Sequence, residues 1–203
     1  MPPFTAPVWA TTVNFPPKTF AEFVDYAKAR PGQVSYGVAP GFSEFVWDGF
    51  RKEMGLVMNK VPYRDINVAP TDLGEGRIQI VMSSFAIVQP QWQAGRIKII
   101  AVNNKTRAPI APEIPTAREA GFASLEVEGL VGLFGLKTMS NELKEKIAAD
   151  FKAAAADGSI GERLKSTGQV INVGGPKEFA DAIEEQRANV EKTVKAIDFK
   201  PKQ

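Results

Sequence analysis

Apolar and polar positions alternate between two periods along most of the chain. In "TFAEFVDYAKARPG", Phe20, Phe23, Val24 and Ala27 recur at helical spacing after Thr19, with Glu22 three residues beyond Thr19. That is a capping box opening an amphipathic helix, and Pro31-Gly32 ends it. Residues 33–37 then read as a strand, and 43–54 as a helix closed by Gly55. "VMNKVPY", 57–63, reads as a strand, 66–75 as a short helix, and "RIQIVM", 77–82, as an alternating strand. A helix over 85–94 follows, then "IKIIAV", 97–102, a strand buried on both faces. Strands alternating with helices predict a parallel or mixed α/β sheet.

The pattern changes after residue 102. "KTRAPIAPEIPTAREAGF", 105–122, is a proline-rich connection, in which Pro115 and Thr116 start a short helix with Glu119 completing a capping box. "LEVEGLVGLFGL", 125–136, is extended and apolar. Ser140 caps a helix with Leu143, Ile147, Phe151 and Ala155 on one face. Residues 159–167 extend the helical part to Gly168, and "VINV", 170–173, is a short strand. Pro176 opens a last helix whose buried side carries Phe179, Ile183, Val190 and Val194. These amphipathic helices need a sheet to cover, and 137–203 offers one short strand. The missing strands belong to the first 15 residues, to another chain or to sequence outside this one; otherwise the apolar face is an association site.

Composition narrows the chemistry. Of 203 residues, 44% are hydrophobic and 24% charged, a globular balance. The net charge is +2, with no basic stripe to track a phosphate backbone, so no nucleic-acid partner is expected. The chain has no Cys and no His, which removes thiol nucleophiles, His-based triads and most zinc sites. No metal or cofactor is implied, and an enzyme would have to run on Asp, Glu, Lys, Ser or Tyr with no telling pair among them. The N-terminus "MPPFTAPVWATTVNFPP" has no signal-peptide pattern, which would leave the protein in the cytoplasm if this is the natural start. No run approaches the ~20 apolar residues that span a bilayer. No internal repeat or low-complexity segment is present.

Three stretches carry candidate binding groups. "GVAPGFSEF" places Gly37, Gly41, Phe42 and Ser43 at a strand–loop–helix junction. A helix N-terminus offers free N–H groups and about half a positive charge. The lysine of a phosphate-binding loop is absent, so a carboxylate fits better; the plainer reading is a tight turn with Ser43 as N-cap. Ser83, Ser84 and Phe85 follow a strand at the end where open α/β sheets place ligands; the plainer reading is another N-cap. Arg64 in "PYRD" could clamp a carboxylate, or be a solvated loop charge. Trp9, Trp47 and Trp92 read as core or rim anchors.

In order, "PKTFAEFVDYAKARPGQVSYG", "VPYRD", "DLGEGRIQIVMSS", "QAGRIKIIAV", "TRAPIAPEIPTAREAGF" and "GPKEFADAIEEQ" resemble the substrate-binding proteins of tripartite tricarboxylate transporters, the Bug (TctC) family. The proline-rich stretch 107–121 is the most specific piece. The resemblance implies a type II periplasmic-binding-protein-like fold, two α/β lobes closing on a small carboxylic acid, with the transporter's membrane subunits as partners, a periplasmic location and no catalysis. It implies a complete lobe over 14–124 and an interlobe crossover over 125–136. Residues 137–203, with 1–13, are then the C-terminal share of a second lobe. The family's N-terminal export signal and first-lobe strands have no counterpart here, which leaves half a site. The chain is then crippled or partner-dependent, or is an oligomerising or complementing subunit held through its exposed C-terminal helices. Asp65 departs from the family's usual Gly and implies a narrower cleft or an altered turn.

Overall fold

A computed structural model describes residues 4–5, 7–126, 130, 132–159, 161–162, 169–170 and 173–197. The expected strand over 170–173 and helical stretch over 159–167 fall partly outside the described residues. The strands are β1 (Phe4–Thr5), β2 (Pro7–Thr12), β3 (Ser35–Val38), β4 (Asn59–Pro62), β5 (Ile80–Ser84), β6 (Ile97–Val102) and β7 (Gln169–Val170). The helices are α1 (Phe20–Ala29), α2 (Phe42–Met54), α3 (Ala69–Gly74), α4 (Phe85–Gln93), α5 (Asn141–Ala155) and α6 (Pro176–Ile197).

Five strands form one mixed sheet in the order β4-β3-β5-β2-β6. β3 is parallel to β4 and β5, while β2 is antiparallel to both β5 and β6. The sequence expectation groups residues 1–13 with the C-terminal share; residues 7–12 instead occupy the middle of this sheet. The reason is burial: Val8, Trp9 and Ala10 are sealed from solvent, with layers on both sides of the strand. β1 pairs with β7, away from the main sheet, through Phe4↔Val170 and Thr5↔Gln169.

Alternation along the strands sends side chains to two cores. On one face Trp9, Tyr36, Ile80, Met82 and Ile100 meet Phe20 and Phe23 of α1 and Trp47 and Phe50 of α2. On the other, Val8, Ala10, Val81, Ile99 and Val102 meet Leu73 of α3 and Phe85 and Val88 of α4. The anchoring expected of Trp9 and Trp47 is met: their rings lie 4.5 Å apart, edge to face.

β6 is an edge strand, and the proline-rich loop covers it. Val102 N donates to Pro115 O at 3.0 Å, and Ala117 N donates to Val102 O at 2.7 Å. Arg107 Nε reaches both Glu119 oxygens, at 3.1 and 2.9 Å, and its terminal nitrogen donates to Pro112 O at 3.0 Å. The Thr116–Glu119 capping box forms reciprocally, at 2.7 and 3.0 Å. The helix it was expected to open is absent: residues 117–121 are turns, because Glu119 is held by Arg107 and Ala117 is spent on β6. These bonds hold the Glu119 carboxyl below the usual range, the Thr116 N–H first and Arg107 second. The proline-rich stretch 107–121 is thus a staple that protects a sheet edge.

Beyond Leu125 no side chain among the described residues is buried. α5 is capped as expected, Ser140 Oγ accepting from Leu143 N at 3.2 Å, yet it contains no buried residue. α6 touches α2 and α5. Its expected buried side is only half-buried at Phe179 and Ile183 and exposed at Val190.

Candidate ligand-binding site

The C-terminal ends of β3, β4, β5 and β6 and the first residue of β2 share one sheet edge, as the registers Val38↔Pro62, Pro7↔Ser84 and Val8↔Val102 require. α2 and α4 begin at this edge, so the positive ends of both helices face it. The N-cap of α2 is Gly41, at φ 109°, a conformation that favours glycine, and no side chain caps the helix. Ser43, read from sequence as the cap, lies inside the first turn. Its hydroxyl donates to the Ala39 carbonyl at 3.0 Å, and no side chain caps the first N–H groups of α2. Phe42 opens α2, and its side chain lies outside the described ones.

Gly37 has a packing role. A Cβ there would fall 2.8 Å from Ile78 Cδ1 and 3.1 Å from Tyr63 Cε2. The missing side chain lets Tyr63 lie against β3, where its hydroxyl donates to Asp72 Oδ2 at 2.7 Å. Arg77 holds the other Asp72 oxygen at 2.7 Å. Burial, then the Asp72 bond, pushes the Tyr63 hydroxyl up, while Tyr63 and then Arg77 hold the Asp72 carboxyl below its usual value. This network fixes the loop carrying Arg64, which is exposed and makes no ion pair with a described residue. Asp65 caps the local turn: its Oδ1 accepts from Asn67 N at 2.9 Å at the start of a 3-10 turn over Ile66–Val68.

Ser83 and Ser84 are the last residues of β5, later than the strand expected over 77–82. The strand proper starts at Ile80; Gln79 N already donates to Ser35 O at 2.9 Å, the Gln79 side chain accepts from Ser35 N at 2.8 Å, and the Arg77 side chain pairs with Asp72 and Glu75. Ser84 is the N-cap of α4, with extended geometry at φ −71°, ψ 148°, but its side chain makes no cap bond. Ser83 Oγ is sealed from solvent without a partner among the described residues. The Phe85 side chain belongs to the core, 5.6 Å from the Trp92 ring.

Sequence reasoning missed Asn103 and Asn104, directly after β6. Asn103 Oδ1 accepts from Trp9 Nε1 at 2.5 Å, and its N–H donates to Pro7 O at 2.9 Å, tying β6 to β2 at the same edge. Asn104 is buried with Oδ1 unpartnered. The strand-end rule that singled out Ser83 would have found them. Elsewhere, Lys60 pairs with Glu44, and Arg51 in the last turn of α2 donates to the Tyr36 hydroxyl at 2.7 Å. Among the described residues no cluster of acidic, His or Cys groups could hold a metal, and no helix could cross a membrane. A shallow depression of ≈ 290 Å³ between Thr12, Phe15, Gly74 and Gln79 lies at the opposite end of β2 and β5.

The edge therefore carries two helix N-termini without side-chain caps, a half-buried serine and one exposed guanidinium. It can hold an anion by backbone N–H groups but has no nucleophile–base pair. A profile of the family described as "Tripartite tricarboxylate transporter family receptor" matches residues 5–199. A relative from Agrobacterium vitis, the "UPF0065 protein in the TAR-I ttuE-ttuC' intergenic region", is 28% identical over 89% of this chain and 53% of its own length. The chain thus spans about half the length of that relative. A solved "periplasmic transporter" superposes with a TM-score of 0.81 at 28% identity, over 95% of this chain and 65% of that one. An R. palustris protein solved "with adipate" gives a TM-score of 0.83 at 23% identity, over 98% and 68%. The five-stranded sheet flanked by helices is the fold of these periplasmic binding proteins.

Proposed function

The chain belongs to the tripartite tricarboxylate transporter receptor family, a family of solute-binding receptors rather than enzymes, and from that premise we propose that its sheet edge is one jaw of a site for a small carboxylic acid. The observation that carries this reading is the pair of helix starts, α2 and α4, opening at one edge without a side-chain cap. A carboxylate there accepts from first-turn N–H groups and meets the positive ends of both helix dipoles. Ser84 supplies a neutral donor beside them, and Arg64 a cation at the rim. Gly41 lets the backbone approach the ligand; Gly37, Ser83 and Phe85 hold the jaw in shape behind it. The neighbour bound to adipate supports the ligand class. The family and the periplasmic neighbour support work in the periplasm, handing ligand to a transporter's membrane subunits.

A second jaw is needed for tight binding. Two charge-assisted hydrogen bonds at about 1.5–3 kcal/mol each amount to roughly millimolar affinity. The 203 residues alone should therefore bind weakly and depend on a partner surface. Titration calorimetry with mono-, di- and tricarboxylates tests both parts. Sub-micromolar binding by the chain alone overturns the single-jaw argument. No heat with any acid, together with no change on replacing Ser84, overturns the carboxylate site.

A further inference from the structure

The jaw edge leaves hydrogen-bonding groups of both kinds without partners. The first N–H groups of α2 and α4 have no side-chain cap and need an acceptor. Asn104, the second residue after β6, is 4% exposed, and its Oδ1 has no partner among the described residues. A sealed, unpaired carbonyl oxygen is costly and rare in a folded chain. The donors beside it in the chain are spent. Trp9 Nε1 donates to Asn103 Oδ1, and Asn103 N to Pro7 O. Lys105 pairs with Glu185 at 3.4 Å, and Arg107 with Glu119 at 2.9 Å. Ser83 Oγ, across β2 from Asn104, is also unpartnered, but a hydroxyl is satisfied by a donor or by an acceptor. The Asn104 oxygen only accepts, so it defines what is missing: a donor.

We propose that Asn104 is a specificity-determining residue of this edge and selects an acid that also carries a hydrogen-bond donor, a hydroxyl or an ammonium. The inference rests on the carboxylate reading of the edge and adds which carboxylic acids fit it. The carboxylate takes helix N–H groups, and the hydroxyl or ammonium donates to Asn104 Oδ1. β5 and β6 flank β2, two strand spacings or about 9–10 Å apart, so an acid of a few carbons reaches from the start of α4 to Asn104. The χ2 torsion of Asn is broad and two-fold, so a turn about it presents the oxygen to the edge. A plain acid satisfies the helices and leaves that oxygen unpaired. A site with a buried polar group of this kind rejects the analogue that lacks the matching group.

The probes are succinate, malate and aspartate, which share a four-carbon diacid and differ in carrying hydrogen, hydroxyl or ammonium at C2. Each is titrated into the full 203-residue chain and followed by NMR shifts, which read weak binding. Malate and aspartate should bind about tenfold more tightly than succinate. Asn104→Ala should make the three acids bind alike, with a thermal midpoint close to the parent's, because Asn104 Oδ1 holds no bond in the fold. Asn104→Asp keeps the shape and adds charge, and should shift the preference from malate toward aspartate. If succinate binds as tightly as the other two, or the preference survives Asn104→Ala, the proposal fails and the carboxylate edge stands. If Asn104→Ala does not fold, Asn104→Asp decides, and no gain of aspartate over malate overturns the proposal. If none of the three acids binds, the carboxylate reading itself fails, and this inference with it.

Discussion

α1 and α5 are built from the same local instructions and end in different environments. Each starts on a hydroxyl, Thr19 or Ser140, accepting the N–H three residues on at 3.2 Å. Each carries an apolar stripe at helical spacing. α1 buries Phe20, Phe23, Val24 and Ala27, whereas α5 buries nothing. The difference lies in what each helix meets. α1 faces the sheet through Trp9, with Phe20 5.0 Å from the Trp9 ring. α5 neighbours α6 and no sheet of the described residues. Capping and periodicity decide that a helix forms; a sheet surface decides how much stability it adds.

The sharpest way to break this comparison is to truncate one aromatic on each helix. Phe23→Ala should cost about 3–5 kcal/mol, as a cavity beneath a sheet does. Phe151→Ala should stay within about 0.5 kcal/mol. Urea denaturation followed by tryptophan fluorescence reads both, since Trp9 and Trp47 lie in the α1–α2 core. A comparable loss at Phe151 would mean that α5 is covered in solution.

The next largest effect belongs to Gly37. Gly37→Ala forces a Cβ against Ile78 Cδ1 at 2.8 Å, and Ile78 is itself buried. A loss of about 1–3 kcal/mol follows from overpacking, seen as a lower urea midpoint. If carboxylate affinity falls with no change in midpoint, Gly37 touches ligand and its packing role is wrong.

Much of the lobe was legible because its signals are local. "IKIIAV" is β6 residue for residue, and Gly55 closes α2 where the pattern breaks. What stayed hidden was set by distant partners. β2 carries strand-forming Val8, Trp9, Thr11 and Thr12, but its antiparallel place between β5 and β6 is set by those distant strands. β5 starts at Ile80 rather than at Arg77, whose side chain pairs with Asp72 and Glu75. Thr116 and Glu119 form their capping box, but Arg107, twelve residues back from Glu119, turns it into a loop staple. The spacing of Gly37, Gly41 and Ser43 predicts a strand–loop–helix junction, which the structure has, but not what each residue meets there. Gly41 is the cap, Ser43 is spent on Ala39, and Gly37 serves Tyr63. Such roles depend on which atom lies opposite, which spacing does not encode.

Ser84→Asp separates stability from binding at the jaw. Ser84 has the backbone of an N-cap without the bond. A carboxylate in the side chain would take the open N–H groups of α4 and add about 0.5–1 kcal/mol. The same group would occupy the position proposed for the ligand and repel it. Calorimetry should show carboxylate binding lost while the thermal midpoint rises. A higher midpoint with undiminished binding would move the ligand away from α4.

The smallest effect should come from Tyr63→Phe, and its pH dependence distinguishes charge from packing. Asp72 has its carboxyl held low by the Tyr63 hydroxyl first and Arg77 second. A carboxyl depressed in the folded state stabilises the fold above its unfolded value, near 3.9. That contribution disappears as pH falls through the lower folded value. Removing the hydroxyl should therefore destabilise the protein at neutral pH, and the difference from the parent should shrink below about pH 4. Arg77 keeps part of the effect, so the loss stays below that of Gly37→Ala. Urea midpoints measured from pH 7 down to the acid limit give the comparison. A difference that is constant with pH would mean the hydroxyl acts through the packing of Tyr63 on Gly37, and the Asp72 bond would then add little to holding the Arg64 loop at the jaw.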